Sequence, residues 1–207
     1  MDSNDHTPLR AVALVCTLSP SPAPSSSQLL AEQTMAALAE HGVTGKTIRI
    51  ADRDVKPGVK TDMGDGDAWP EIRDTMLGCD ILILSTPIWL GHPSSVAQRV
   101  LERLDAEISE TDDEGRMLTY GKVAAVCVVG NEDGAHKVSS DLFQGLNDVG
   151  FSLAPNAVTY WVGEAMQPTD YQDLDKTPEK TAATTATLAA NTAHLARRLK
   201  AAPYPVS

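Results

Sequence analysis

The sequence predicts a doubly wound α/β fold: five parallel strands in the order 2-1-3-4-5, with helices on both faces. Three observations predict it. Short apolar runs alternate with stretches of helical periodicity along the whole chain, which is the pattern of βαβ units. The strongest runs, Ala11–Cys16, Ile81–Leu84 and Lys122–Val129, are apolar almost throughout instead of alternating, as strands covered on both faces are. Finally, the two most unusual loops follow the first and third runs. This strand order sets those loops side by side at the switch point where open α/β sheets bind ligands.

Each element has its own signal. After Ala11–Cys16 comes a Ser/Pro loop and a helical stretch from about Ser26 to His41, closed by Gly42. Thr47–Ile50 reads as a second strand, less buried because Arg49 interrupts it. The polar loop from Ala51 to Asp67 is long for a strand-to-helix connection and is therefore a candidate functional or interface loop. Trp69–Leu77 makes a short helix before the Ile81 strand. From Ser94 to Ile108, the residues Val96, Val100, Leu101, Leu104 and Ile108 share one helical face. An acidic loop, Thr111–Gly115, leads to the Lys122–Val129 strand, and a helix carrying Val138, Leu142, Leu146 and Val149 runs to Gly150. Ala157–Tyr160 is the last strand; a Pro/Asp-rich loop and a helix over Thr177–Lys200 complete the chain.

At 207 residues the chain fits one α/β domain spanning 1–207, with 1–10 expected as a flexible tail. A hydrophobic fraction of 42% is enough for a two-sided core, and abundant alanine lets helices pack closely on the sheet. The formal charge of -11 argues against a nucleic-acid partner, which needs a basic surface. Cys16, Cys79 and Cys127 lie in or beside apolar runs and form no CxxC pair, so they read as reduced core residues and not as metal ligands. No apolar stretch reaches membrane-spanning length, and Met1–Asp5 lacks a signal peptide's basic and apolar regions. A cytoplasmic location without membrane contact is the expectation.

Three loops could carry chemistry. The first, Thr17–Gln28, leads into a helix N-terminus, where free amides and the helix dipole favour an anion. It is rich in serine and holds no lysine or arginine, so a single phosphate monoester suits it better than a polyphosphate with metal. It is equally consistent with a Ser/Pro turn whose serines cap the helix. The third-strand loop, Thr86–Gly91, offers Ile88 and Trp89 beside backbone amides, which suits a flat, partly polar ring such as a flavin. Trp89 could instead cover the sheet edge. The loop Gly130–Gly134 joins the same rim; Glu132 and Asp133 repel phosphate but can accept from a ring N–H, or simply form a solvated turn.

Other motifs fail. Gly45-Lys46-Thr47 precedes a strand, where a P-loop would follow one, no GxSxG elbow is present, and the five histidines show no ligand spacing.

With these loops in hand, the chain resembles the flavodoxin-like NAD(P)H-dependent FMN reductases from about Ala11 to Gly150. The family's first loop, Gly-Ser-x-Arg-x-x-Ser-x-Thr, is matched by Leu18-Ser19-Pro20-Ser21 through Ser27, with Ser19 and Ser27 the best counterparts. Leu18 replaces the usual glycine, and a proline-rich insertion replaces the arginine. The second signature, Thr-Pro-x-Tyr-x-Gly, aligns with Thr86-Pro87-Ile88-Trp89-Leu90-Gly91, and the third with Gly130-Asn131-Glu132-Asp133-Gly134.

The resemblance implies that FMN is held by its phosphate at Ser19, Ser21, Ser26 and Ser27. It implies a ring lying on Thr86, Pro87, Ile88, Trp89, Leu90 and Gly91 and edged by Asn131, Glu132 and Gly134. NADH or NADPH would supply hydride and a quinone, flavin or other small acceptor would take it, with no side chain acting as acid or base. A homodimer or homotetramer is implied as well. Two other readings remain open from the residues: an FMN-binding electron carrier of flavodoxin type, and a flavin-free interaction domain on the same fold.

Overall fold

Strand β1, Leu9–Val15, turns Val12 and Leu14 to one face of the sheet and Ala11, Ala13 and Val15 to the other, all fully buried. A continuous apolar run requires this two-sided cover, because successive side chains of a strand point to opposite faces. The computed structural model describes residues 8–165 and 167–205. It repeats the pattern in β3 (Ile81–Trp89) and β5 (Val123–Gly130). With β2 (Val43–Arg49) and β6 (Ser152–Val162), the five long strands are all parallel and ordered β2-β1-β3-β5-β6. This is the predicted doubly wound, flavodoxin-like order, with one addition: a two-residue strand β4 (His92–Pro93) pairs antiparallel with the end of β3.

Helices α1 (Ser26–Ala39) and α5 (Glu179–Ala201) cover one face through Leu30, Ala31, Leu188, Ala189 and Ala193. On the other face lie α2 (Trp69–Leu77), α3 (Ser95–Leu104) and α4 (Ala135–Asp148), packed through Ile72, Met76, Val100, Val138 and Leu142. The buried thiols of Cys16 and Cys127 are core residues, and burial pushes both up and keeps them protonated; Cys79 is only half-buried. Among the described residues no helix is long and apolar enough to cross a membrane.

Several boundaries differ from expectation. β1 takes in Leu9 and Arg10, so the expected tail of residues 1–10 overlaps the sheet; residues 1–7 lie outside the described residues. β2 starts at Val43, where Thr44 to Lys46 are exposed and give no apolar signal. β6 runs for 11 residues, through Pro155, which an edge strand tolerates. α3 stops at Leu104, and a 310 turn over Asp105–Ser109 leaves Ile108 exposed while burying Glu107. Arg73 explains that exchange, because its Nε and Nη2 grip the two Glu107 carboxylate oxygens at 2.6 and 3.0 Å.

The long Ala51–Asp67 loop is fastened to α3 by a buried ion pair. Arg103 has no exposed surface; its Nη1 donates to Asp67 Oδ2 at 2.7 Å and to the Lys56 carbonyl at 2.9 Å, and its Nη2 donates to the Lys60 carbonyl at 2.7 Å. Asp67 also accepts from the amides of Met63, Lys56 and Trp69. Burial alone would raise this carboxyl, but those amides and Arg103 hold it at about 2. These bonds pack the loop against α3, and none of its residues lines the cleft described below.

Asp67→Ala leaves a buried guanidinium unpaired and lowers stability by about 3–5 kcal/mol in urea unfolding. Because the folded carboxyl titrates below its unfolded value, its contribution is complete above about pH 4 and disappears as pH falls toward 2. The urea midpoint of the wild type drops across that window, and Asp67→Asn flattens the drop.

Candidate functional site

At the switch point the carboxyl ends of β1 and β3 part, and a cleft of about 450 Å³ opens between them. The strand ends still need their polar groups satisfied, and three short side chains do this from below. Ser94 caps α3, donates through Oγ to the Cys16 carbonyl at 2.6 Å, and donates its amide to Thr86 Oγ1 at 3.0 Å. Ser85 Oγ donates to the Ser27 carbonyl at 2.7 Å, and the Cys16 amide donates to the Ser85 carbonyl. Serine and threonine suit the place because each can donate and accept within a small volume.

The first loop forms one wall. Ser25 caps α1 by accepting the Gln28 amide at 3.3 Å, and the first turn of α1 carries no acidic residue. Ser25, Ser26 and Ser27 line the cleft there, where the first amides of a helix have no intrahelical partner. Thr17 and Ser19 also line it. Arg49, at the end of β2, passes behind this loop and donates to Gln28 Oε1 at 2.7 Å and to the Ala23 carbonyl at 2.8 Å. Ser21, expected at the site, faces away: its amide and hydroxyl both go to Asp52, at 2.6 and 2.7 Å, and hold that carboxyl below its ordinary value.

The second wall is strand where a loop was expected. β3 continues through Pro87 and Ile88 to Trp89, and the chain reverses at Leu90-Gly91. These two residues have φ of 52° and 72°, the positive pair of a tight type I′ hairpin turn. Pro87, Ile88 and Trp89 line the cleft; Trp89 is 55% exposed, so it is not a core residue. Leu90 and Gly91 form the turn beside the cleft and do not line it, and Thr86 is buried beneath it. A leucine with positive φ is strained by roughly 1–2 kcal/mol. Its amide finds a strong acceptor, Glu132 Oε1 at 2.9 Å.

Glu132 and Asn131 line the third wall. Gly134, also expected among the site residues, instead lets two loops touch: a Cβ there would lie 2.9 Å from Gly91 Cα, and its φ is 130°. Sequence reasoning missed the rest of this wall, which comes from the end of β6 and the segment after it. Trp161, Gln167, Asp170, Tyr171 and Gln172 line the cleft. Asn131 Nδ2 holds the segment by donating to the Gln167 carbonyl and to Asp170 Oδ1, and the Gln172 amide donates to Ser26 Oγ at 3.2 Å. Tyr171 packs on Trp161 with ring centroids 5.5 Å apart, and burial raises its hydroxyl. The signal was available, since every loop leaving the carboxyl edge of the sheet belongs to one rim.

The lining residues include Glu132 and Asp170 but no histidine, cysteine, lysine or arginine. The cleft is thus built to bind and orient, with neutral donors at one end, an apolar ledge in the middle and no acid–base pair.

Residues 9–167 match the family model described as NADPH-dependent FMN reductase. The chain is 32% identical over 206 residues to the 8-demethyl-8-aminoriboflavin-5'-phosphate synthase of Streptomyces davaonensis, covering 95% of this chain and 80% of that protein. It is 36% identical over 200 residues to a protein of Mycobacterium bovis named divalent metal cation transporter MntH, of whose length it spans 29%. Among solved structures, RosB with bound 8-demethyl-8-formylriboflavin-5'-phosphate superposes with a TM-score of 0.85 at 32% identity, covering 95% of this chain and 82% of that one. The apo NADH:FMN oxidoreductase EMOB superposes at 0.64 with 19% identity, covering 91% of this chain and 88% of that one, a likeness of fold. The chain belongs to the NADPH-dependent FMN reductase family of flavin oxidoreductases.

Proposed function

We propose that the cleft binds FMN and that the protein is an FMN-dependent NAD(P)H oxidoreductase serving a small acceptor. The observation that carries this reading is the division of the cleft into a donor end without acidic residues at α1 and an apolar ledge at Pro87–Trp89. Ser19, Ser26 and Ser27 and the first amides of α1 would hold the phosphate, the ledge would seat the ring, and Asn131 and Glu132 would meet its edge. When bound, FMN supplies the redox chemistry, taking hydride from NADH or NADPH and returning electrons to a quinone, flavin or other small acceptor. The chain's residues bind, orient and exclude water. Exposed Trp89 and Leu90 leave apolar surface at the mouth, suited to an acceptor ring or to a second copy in a homodimer or homotetramer.

A second reading takes riboflavin 5'-phosphate as substrate instead of resident cofactor. The likeness to the aminoriboflavin phosphate synthase, at 32% identity over most of both chains, favours it. The two separate on the fate of the flavin. A resident cofactor survives turnover unchanged in mass, whereas a substrate flavin is released in altered form.

The purified protein, mixed with excess FMN and gel-filtered, is expected to keep flavin absorption that NADH or NADPH bleaches. A protein that stays colourless would remove the FMN reading. Ser19→Ala with Ser27→Ala weakens FMN binding by about 1–3 kcal/mol, from lost donors to a charged group, in a fluorescence-quenching titration. Trp89→Ala is expected to weaken flavin or acceptor binding while shifting the melting temperature little, since more than half of the side chain is already in water. A large melting shift with unchanged binding would make Trp89 a packing residue.

A further inference from the structure

Strand β5 runs between β3 and β6, so the loop that leaves it has the Leu90 hairpin on one side and the segment after β6 on the other. Two adjacent side chains of that loop reach one to each side. Glu132 Oε1 accepts the Leu90 amide at 2.9 Å. Asn131 Nδ2 donates to the Gln167 carbonyl at 3.0 Å and to Asp170 Oδ1 at 3.2 Å. The backbone adds a third tie, since the Gly163 amide donates to the Gly130 carbonyl at 2.9 Å. The second and third walls of the cleft are thus fastened to one loop.

Each wall needs that support. Leu90 has a φ of 52°, a strained position for leucine, so the turn keeps its shape only while its amide has a strong acceptor. A carboxylate is such an acceptor. On the other side, Gln167 to Asp170 are exposed and belong to no helix or strand. Their far end is tied by the Gln172 amide to Ser26 Oγ, and Asn131 fixes the middle. Asparagine suits this task because Nδ2 carries two hydrogens, one for each acceptor, and aspartate has none to give. With both hydrogens used, Asn131 has only Oδ1 left for a ligand.

We propose that Asn131 and Glu132 are positioning residues that together set the width of the cleft, holding the Trp89 wall and the Trp161–Gln172 wall at a fixed spacing about the flavin ring. This rests on the FMN reading above. It makes Asn131 Nδ2 a brace between loops and leaves it no contact with the ring.

The test reverses donor and acceptor. Asn131→Asp removes both hydrogens and sets a carboxylate against Asp170; Asp170→Asn added to it returns one of the two bonds in the opposite sense. Amide hydrogen exchange on the flavin-free, full-length protein reads residues 167–174 directly. Asn131→Asp is expected to speed their exchange about tenfold and to weaken FMN binding about tenfold in a fluorescence-quenching titration. The double variant recovers part of both. Asn131→Ala, which adds no charge, gives the same two losses. Lost FMN affinity without recovery in the double variant would mean that Asn131 meets the ring itself and would overturn the proposal, as would unchanged exchange in Asn131→Asp and Asn131→Ala. On the other wall, Glu132→Gln keeps an acceptor for the Leu90 amide and stays within about threefold of the wild type in FMN affinity, whereas Glu132→Ala loses about tenfold. Equal loss in both variants would assign Glu132 to its charge and overturn its place in the brace. A wild type that binds no flavin overturns the FMN reading, and hydrogen exchange then decides the brace alone.

Discussion

The site depends on how the parting strand ends are satisfied. Where β1 and β3 diverge, backbone groups that would have paired in the sheet face a cavity, and each unsatisfied group there costs about 1–3 kcal/mol. Ser85, Thr86 and Ser94 meet that demand from within the cleft floor, joining β1, β3, α1 and the cap of α3. Larger polar side chains would fill the cleft, and apolar ones would leave the Cys16 and Ser27 carbonyls bare. The cleft stays open because its floor is closed by the smallest groups able both to donate and to accept. The first two walls start from elements tied to that floor.

The architecture was legible because both-sided burial writes itself into the central strands. Ala11–Cys16, Ile81–Leu84 and Val123–Val129 admit little besides parallel strands under helices, and the strand order followed from them. What was hidden lay where side chains stop being apolar or where long-range pairing overrides local pattern. Thr44 to Lys46 look like loop but pair with β1, and Pro87 looks like a strand end but pairs opposite Val129. Arg103 reads as a solvated residue on α3, and only Asp67, 36 positions earlier in the chain, makes its burial affordable.

The site was legible in its first two walls and partly misread in detail. Serines near a helix start identify a donor end, but their directions depend on distant partners. Ser21 turns to Asp52, while Ser26 and Ser27 stay at the cleft. The hairpin reversal at Leu90 could not be foreseen, since leucine is a poor choice for positive φ. It is held there by Glu132, a residue 42 positions away. The wall from Trp161 to Gln172 carries no motif at all; it is placed by Asn131 and by the end of β6.

Natural sequences break local rules where function requires it and obey them elsewhere. Here two departures stand at the carboxyl edge of the sheet. A leucine is held in a left-handed turn, and a tryptophan stands more than half in water. The tight turn holds Trp89 at the mouth of the cleft. At the opposite edge Asp80 accepts from the Arg10 amide and pairs with Lys200 at 2.9 Å, while Lys122 donates to the Leu77 and Cys79 carbonyls and ties α2 to β5.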